Sequence, residues 1–140
     1  MLTHGPGIPE NGWKCSTILV DGDFAGHITQ VYSSPPTQVV MVTLGWNIVP
    51  ELWGHGIVPN AVSQLLEDRF TELEAIEFQA FCFNSNTRCV RVLQKLGFEK
   101  QEPRWMEHAR NFVQTFGRHR LLKYGLTYNN WLKLSGGNGG

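Results

Sequence analysis

The stretch Leu44 to Phe70, LGWNIVPELWGHGIVPNAVSQLLEDRF, constrains this chain more than any other: an apolar strand runs through a turn punctuated by two glycines into an amphipathic helix. The first amides of a helix lack intrahelical acceptors and carry the positive end of its dipole, so such a turn is suited to hold phosphate oxygens. Gly54 and Gly56 are the residues that let bare backbone approach that closely. The ligand this implies is an anionic cofactor. Two nearby glycines also mark an ordinary turn, so the surrounding sequence has to decide between these readings.

The rest of the chain reads as one α+β (α/β-like) domain over residues 1–140. Residues 1–12, rich in Gly and Pro, are expected to form an irregular lead-in. Ser16 to Val20 and Gly26 to Tyr32 read as strands of a hairpin around Asp21-Gly22-Asp23. Pro35 and Pro36 break the chain before a long apolar strand, Gln38 to Val49, which has Val42, Leu44, Trp46 and Ile48 on one face and Gly45 as the mark of a bulge or a close backbone approach. A helix over Val58 to Leu73 carries the stripe Val62, Leu66, Phe70 and Leu73, with Pro59 tolerated in its first turn. A second central strand, Ile76 to Phe83, leads to a helix over Thr87 to Leu96 that buries Val90, Leu93 and Leu96 and stops at Gly97. Then come a strand near Phe98 to Gln101, an irregular or partly helical stretch through Phe116, a strand near His119 to Thr127, and a flexible tail over residues 135–140.

Composition excludes more than it identifies. Twelve basic and twelve acidic side chains balance, giving no argument for nucleic acid or a membrane surface. Residues 103–140 nevertheless hold Arg104, Arg110, Arg118, Arg120, Lys123 and Lys133 against Glu107, which is either a solvated basic face or an attraction for a phosphate or an acidic acceptor. Cys15, Cys82 and Cys89 are too scattered for a disulfide framework or a zinc site, so reduced thiols, no metal and a cytoplasmic location are expected. The N-terminus lacks a signal-peptide pattern, and no apolar run reaches spanning length.

Two motifs settle the reading of the glycine turn. P-E-L-W-G-H-G-I at residues 50–57, followed by Asn86, Cys89 and V-L-Q-K-L-G-F at residues 92–98, resembles the GNAT superfamily of N-acetyltransferases. Within it the chain looks like the Rim-type enzymes that acetylate ribosomal-protein N-termini, over roughly residues 39–128. The resemblance implies a mixed, mostly antiparallel sheet with flanking helices and a V-shaped splay between two central parallel strands. It implies acetyl-CoA as co-substrate, its pantetheine arm pairing with the main chain of Asn47, Ile48 and Val49 and its pyrophosphate resting on the amides of Trp53, Gly54, His55, Gly56, Ile57 and Val58. It also implies direct attack by an amine in a ternary complex, with amides near Ile48 polarising the thioester carbonyl.

In this pattern Asn86 binds the cofactor or orients the acid, and Cys89 stands where Rim-type enzymes usually carry a proton-donating serine. A free thiol titrates at about 8.5, which suits that exchange; a small cysteine on a helix is also ordinary core. The sequence departs from the family at Thr43, where a Glu is frequent, and at Pro59-Asn60, where Thr-Glu is common, so the usual carboxylate base is missing and His27, His55 or water is left to serve. The family's opening strand and helices, which wall the acceptor site, have no counterpart before Ser16. Trp13, Trp105, Phe112 and Trp131 either complete the core or cover an exposed sheet face or a contact with a second copy. Two functions follow from the resemblance: acetyl transfer to a protein N-terminus or small amine, or a catalytically weak acetyl-CoA-binding module.

Overall fold

The computed structural model describes residues 2–3, 12–34, 39–101 and 121–139. Seven strands form a single sheet in the order β1-β2-β3-β4-β5-β7-β6. They are β1 (Leu2–Thr3), β2 (Gly12–Val20), β3 (Asp23–Ser33), β4 (Val40–Ile48), β5 (Ile76–Phe83), β6 (Glu99–Gln101) and β7 (Leu121–Thr127). Every pairing is antiparallel except the central one, β4 with β5. This is the mixed, mostly antiparallel architecture expected, with flanking helices α1 (Ile57–Glu72), α2 (Thr87–Lys95) and α3 (Tyr128–Gly139).

Alternation along the strands places one face of the sheet under the helices. Ile18, Ile28, Tyr32, Val42, Leu44, Ile76, Phe78, Ala80, Tyr124 and Leu126 are buried there beneath Val62, Leu65, Leu66 and Phe70 of α1 and Leu93 of α2. Phe70 anchors three elements at once: it meets Phe78 of β5 edge-on at 5.1 Å and stacks on Trp131 of α3 at 4.9 Å. Trp131 therefore packs, partly buried, against the core. On the opposite face Trp13 and Val31 sit directly across from one another and are 73% and 50% exposed. Trp105 and Phe112 lie outside the described residues.

The core also contains a polar chain that the strand pattern gave no reason to expect. Gln30 donates to Ser16 Oγ at 2.7 Å, Tyr32 donates to Gln30 Oε1 at 2.6 Å, and Arg69 Nε donates to Tyr32 Oη at 2.9 Å. The fully buried Arg69 guanidinium reaches Glu72 at 3.2 Å, while its Nη2 has no partner among the described residues. Burial pushes the Tyr32 phenol up, with Arg69 opposing, so the ring stays neutral and bridges charge to amide.

Several sequence expectations need correction. Leu2 and Thr3, assigned to an irregular lead-in, pair with Ile18 and Thr17, and β2 already starts at Gly12. No element was anticipated after Thr127 and a flexible tail was expected over residues 135–140, yet the backbone is helical from Tyr128 to Gly139. The stretch through Phe116 lies outside the described residues. The bulge assigned to Gly45 is absent, because β3 and β4 keep one register from Ser33↔Met41 to Gly26↔Ile48. The register shift falls instead in the hairpin β2–β3 beyond Ile18, where Ala25 is the extra residue. The end of α2 is as expected: Gly97 takes φ 88°, and the Phe98 and Gly97 amides bond to Leu93 and Gln94 carbonyls in a Schellman closure.

Replacing Tyr32 with Phe removes the oxygen shared by Gln30 and Arg69 and leaves a buried amide and guanidinium short of partners. Tyr32→Phe is expected to lower stability by about 1–3 kcal/mol, read as a fall in urea midpoint with an unchanged slope.

Candidate functional site

The site begins where the two parallel strands part. β4 and β5 pair from Val40↔Ile76 to Leu44↔Ala80, and then β4 continues to Ile48 and β5 to Phe83 without pairing to each other. Each is held away by its outer neighbour, β4 by β3 through Gly26↔Ile48 and β5 by β7 through Phe83↔Leu121. The gap is a cleft of about 440 Å3 with Leu44 and Ala80 at its apex, Trp46 and Ile48 on one wall, and Cys82, Asn86 and Cys89 on the other.

Backbone direction decides which groups face this cleft. The Val49 amide donates to Ala25 O at 2.8 Å on the β3 side, whereas the Val40 amide donates to Ala75 O at 2.9 Å on the β5 side. Peptide groups alternate along a strand, so the N–H and C=O of Trp46 and Ile48 point to the opening and those of Asn47 point to β3. Of the three residues expected to offer main chain to an extended ligand, only Ile48 does so; Asn47 and Val49 are turned away. Trp46, which sequence reasoning passed over, turns its main chain to the opening as Ile48 does, and the alternation rule would have found it once the β3 register was known. The Ile48 carbonyl accepts from Trp53 Nε1 at 3.2 Å, which leaves its N–H directed into the gap.

At the mouth, a short 3-10 turn (Pro50–Leu52) passes into the glycine loop. Gly54 and Gly56 adopt φ of 83° and 72°, and a side chain at either would meet nothing within 4 Å, so the loop presents open backbone. The Trp53 amide is engaged by Pro50 O at 3.1 Å and Asn60 by Gly56 O at 3.2 Å. Between them the amides of Gly54, His55, Gly56, Ile57 and Val58 meet no backbone acceptor among the described residues. Gly56 caps α1 without a side-chain bond, and Pro59, third in the helix, offers no donor. A second cleft of about 400 Å3 lies between this loop and α2, lined by Arg88, Arg91 and Lys95. The sequence reading placed its basic surplus after residue 102; the row at the site was legible as Arg88, Arg91 and Lys95 at helical spacing. Arg88 also lies over the Trp53 ring at 3.9 Å.

Asn86 caps α2, its Oδ1 accepting from the Cys89 amide at 3.1 Å, so it fixes the backbone that carries the thiol. Cys89 is hydrogen-bonded to Cys82. Burial pushes both thiols up; the charge of and hydrogen bond to Cys82 add to the rise at Cys89, which reaches about 12. Neither His27, paired opposite Asn47, nor the exposed His55 lines the cleft, which contains no carboxylate among the described residues. Thr43 accepts from Gln79 Nε2 at 2.8 Å across the two central strands. The described residues contain no cluster suited to a metal ion. Nor do they include a helix long and apolar enough to cross a membrane.

The profile of the acetyltransferase (GNAT) domain family matches residues 6–99. YoaA, an uncharacterised N-acetyltransferase of Bacillus subtilis, is 31% identical over 58 residues, which cover 41% of this chain and 33% of that protein. A solved structure described as a probable acetyltransferase superposes with a TM-score of 0.66 at 21% identity, covering 86% of this chain and 64% of that one. A spermidine N-acetyltransferase SpeG chimera from Vibrio cholerae and hSSAT gives 0.68 at 14% identity, covering 86% and 70%. RimL, a ribosomal-protein α-N-acetyltransferase in complex with coenzyme A, gives 0.63 at 15% identity, covering 83% and 62%. These structures share the fold, and the chain spans less than two thirds of YoaA and of the probable acetyltransferase.

Two tests address the geometry. A Cβ at Gly26 would collide with the Asn47 carbonyl and lie 2.8 Å from Ile48 Cα. Gly26→Ala is therefore expected to displace the β4 wall and cost about 1–3 kcal/mol, measured by denaturation. Alkylating agents attack the thiolate, and Cys89 titrates at about 12. Its alkylation rate should rise about tenfold per pH unit through pH 10 without a plateau, followed by peptide mass spectrometry.

Proposed function

Because this chain belongs to the acetyltransferase (GNAT) domain family, we propose that it is an N-acetyltransferase that moves an acetyl group from acetyl-CoA to a primary amine by direct attack in a ternary complex. The observation that carries this reading is the cleft itself. Its wall offers the main chain of Trp46 and the N–H of Ile48, and its mouth opens onto a run of unengaged amides facing cationic side chains. A long ligand with amides at one end and phosphates at the other matches that order of groups.

The residues present fit acetyl-CoA. Trp46 and Ile48 would pair with the arm, and the amides from Gly54 to Val58 would hold the diphosphate, with Arg88 beside it. The bound thioester supplies an activated acyl carbon and a thiolate leaving group. The Ile48 N–H would polarise the carbonyl, the part an oxyanion donor plays. Asn86 holds the first turn of α2 so that the Cys89 thiol stays beside Cys82 at the cleft. With its pKa at about 12, Cys89 keeps its proton at neutral pH, and it stabilises the leaving sulfur by donating a hydrogen bond rather than by releasing the proton.

The acceptor in this reading is a protein N-terminus or a small amine. The Rim-type motif favours the former, and among similar folds RimL acts on a ribosomal protein and SpeG on spermidine. The reading includes a cytoplasmic location, supported by three free cysteines. One observation favours a second reading, a catalytically weak acetyl-CoA-binding module: no carboxylate or histidine lines the cleft among the described residues.

A thiol-release assay with acetyl-CoA across a panel of amines and N-terminal peptides separates the two. Acceptor-dependent release establishes transfer, and binding by calorimetry without release supports the module. Under the first reading Cys89→Ala should lower kcat about tenfold or more, the factor expected from losing a hydrogen bond of about 1.5–3 kcal/mol to the charged leaving sulfur, with the acetyl-CoA affinity nearly unchanged.

A further inference from the structure

Gly45 is used neither by the fold nor by the cofactor. It marks no bulge, since β3 and β4 keep one register past it. Its backbone does not call for glycine either. Its φ lies outside the left-handed region, and a Cβ there would meet, among the described residues, Thr29 Oγ1 alone, at an ordinary contact distance of 3.5 Å. The protein itself could carry alanine at this position. What glycine preserves is the space in front of the strand, and that space belongs to the cleft, which Gly45 lines.

Leu44, Ala80 and Cys82 are buried under the helices, so alternation turns Gly45, Asn47, Phe81 and Phe83 to the opposite face of the sheet. All of them line the same cleft, so the gap between the unpaired ends of β4 and β5 runs through the sheet. The glycine loop opens α1 and faces α2, both on the helix side. A cofactor held there fills the gap from that side, and an amine attacking the thioester carbon comes through it from the other. The walls it passes are the Gly45 backbone on β4 and the rings of Phe81 and Phe83 on β5, with Phe83 50% exposed. A flat apolar group can lie against a strand that has no Cβ and meet those rings edge-on or offset. Charge points the same way. Among the described residues β4 and β5 carry one carboxylate on this face, Glu77, which pairs with Met41 near the far end of the parallel ladder. Four residues of strand, about 13 Å, separate it from Phe81. A polyamine brings further ammonium groups, each of which loses water at this opening without a carboxylate to replace it; an aromatic carrier brings none.

We propose that the opening between Gly45 and the rings of Phe81 and Phe83 is the acceptor entrance and that it takes a primary amine carried on an aromatic group, a selection that rests on the acetyl-transfer reading above.

Thiol release from acetyl-CoA by the full chain tests this, with phenethylamine, a peptide beginning with Phe, the same peptide beginning with Ser, and spermidine as acceptors. The two aromatic acceptors should exceed the other two in kcat/KM by roughly tenfold or more. A lead for phenethylamine supports the proposal with a free amine as acceptor, and a lead for the Phe peptide supports it with a chain terminus. Gly45→Ala and Phe83→Ala should each raise the KM for the better aromatic acceptor by about fivefold, while acetyl-CoA affinity read by calorimetry holds, and Phe83→Tyr should keep the original KM. Release with spermidine or the Ser peptide that equals or exceeds release with the aromatic acceptors overturns the proposal and leaves acetyl transfer standing. An aromatic preference that survives both alanine substitutions overturns the entrance. Calorimetric binding of acetyl-CoA with no release by any acceptor overturns acetyl transfer together with it.

Discussion

The parallel pairing of β4 with β5 stops after Leu44 and Ala80, and the rest of the site depends on that stop. A strand in a sheet has two edges, and a central strand is held at the angle its neighbours impose. β4 stays with β3 and β5 stays with β7, so the two halves of the sheet twist apart from a common apex. The Ala25 bulge fixes where β4 ends: its carbonyl receives the Val49 amide and closes the strand just before the Pro50 turn. From that point the chain can only climb over the opening and enter α1. The glycine loop thus sits at the mouth of the gap because of a residue inserted in the neighbouring strand.

The chemistry of the cleft is that of neutral and cationic groups. Burial holds Cys82 and Cys89 in their protonated forms, and Arg88 is the charged side chain on the lining among the described residues. Such a lining stabilises developing negative charge and, among the described residues, holds no carboxylate to pair with an ammonium ion. An amine acceptor would thus have to reach this region uncharged, its proton passing to water or to a group outside the cleft.

Much of this was legible in the sequence, for identifiable reasons. Hydrophobic spacing located β4, α1, β5 and α2 because their apolar faces are regular, and Gly97 marked the end of α2 because only a left-handed residue suits that closure. The loop at Gly54 and Gly56 was readable for the same conformational reason. Strand direction was not readable: which edge the Asn47, Ile48 and Val49 amides face depends on the β3 register, and a bulge at Ala25 is silent in a sequence where Gly45 looked the better candidate. The buried chain from Ser16 to Arg69 was equally hidden, since polar residues on alternating strands look solvent-exposed until a helix covers them. The cap role of Asn86 was available in principle, as Asn three residues before Cys89 is a familiar helix start.

Helix α2 carries the thiol of Cys89 near its first turn and the ammonium of Lys95 at its last residue. Nine residues of α-helix are a stiff rod about 13 Å long, capped at one end by Asn86 and closed at the other through Gly97. The rod therefore works as a ruler: it fixes how far the ammonium on its last turn stands from the thiol on its first, independent of any one contact along the way.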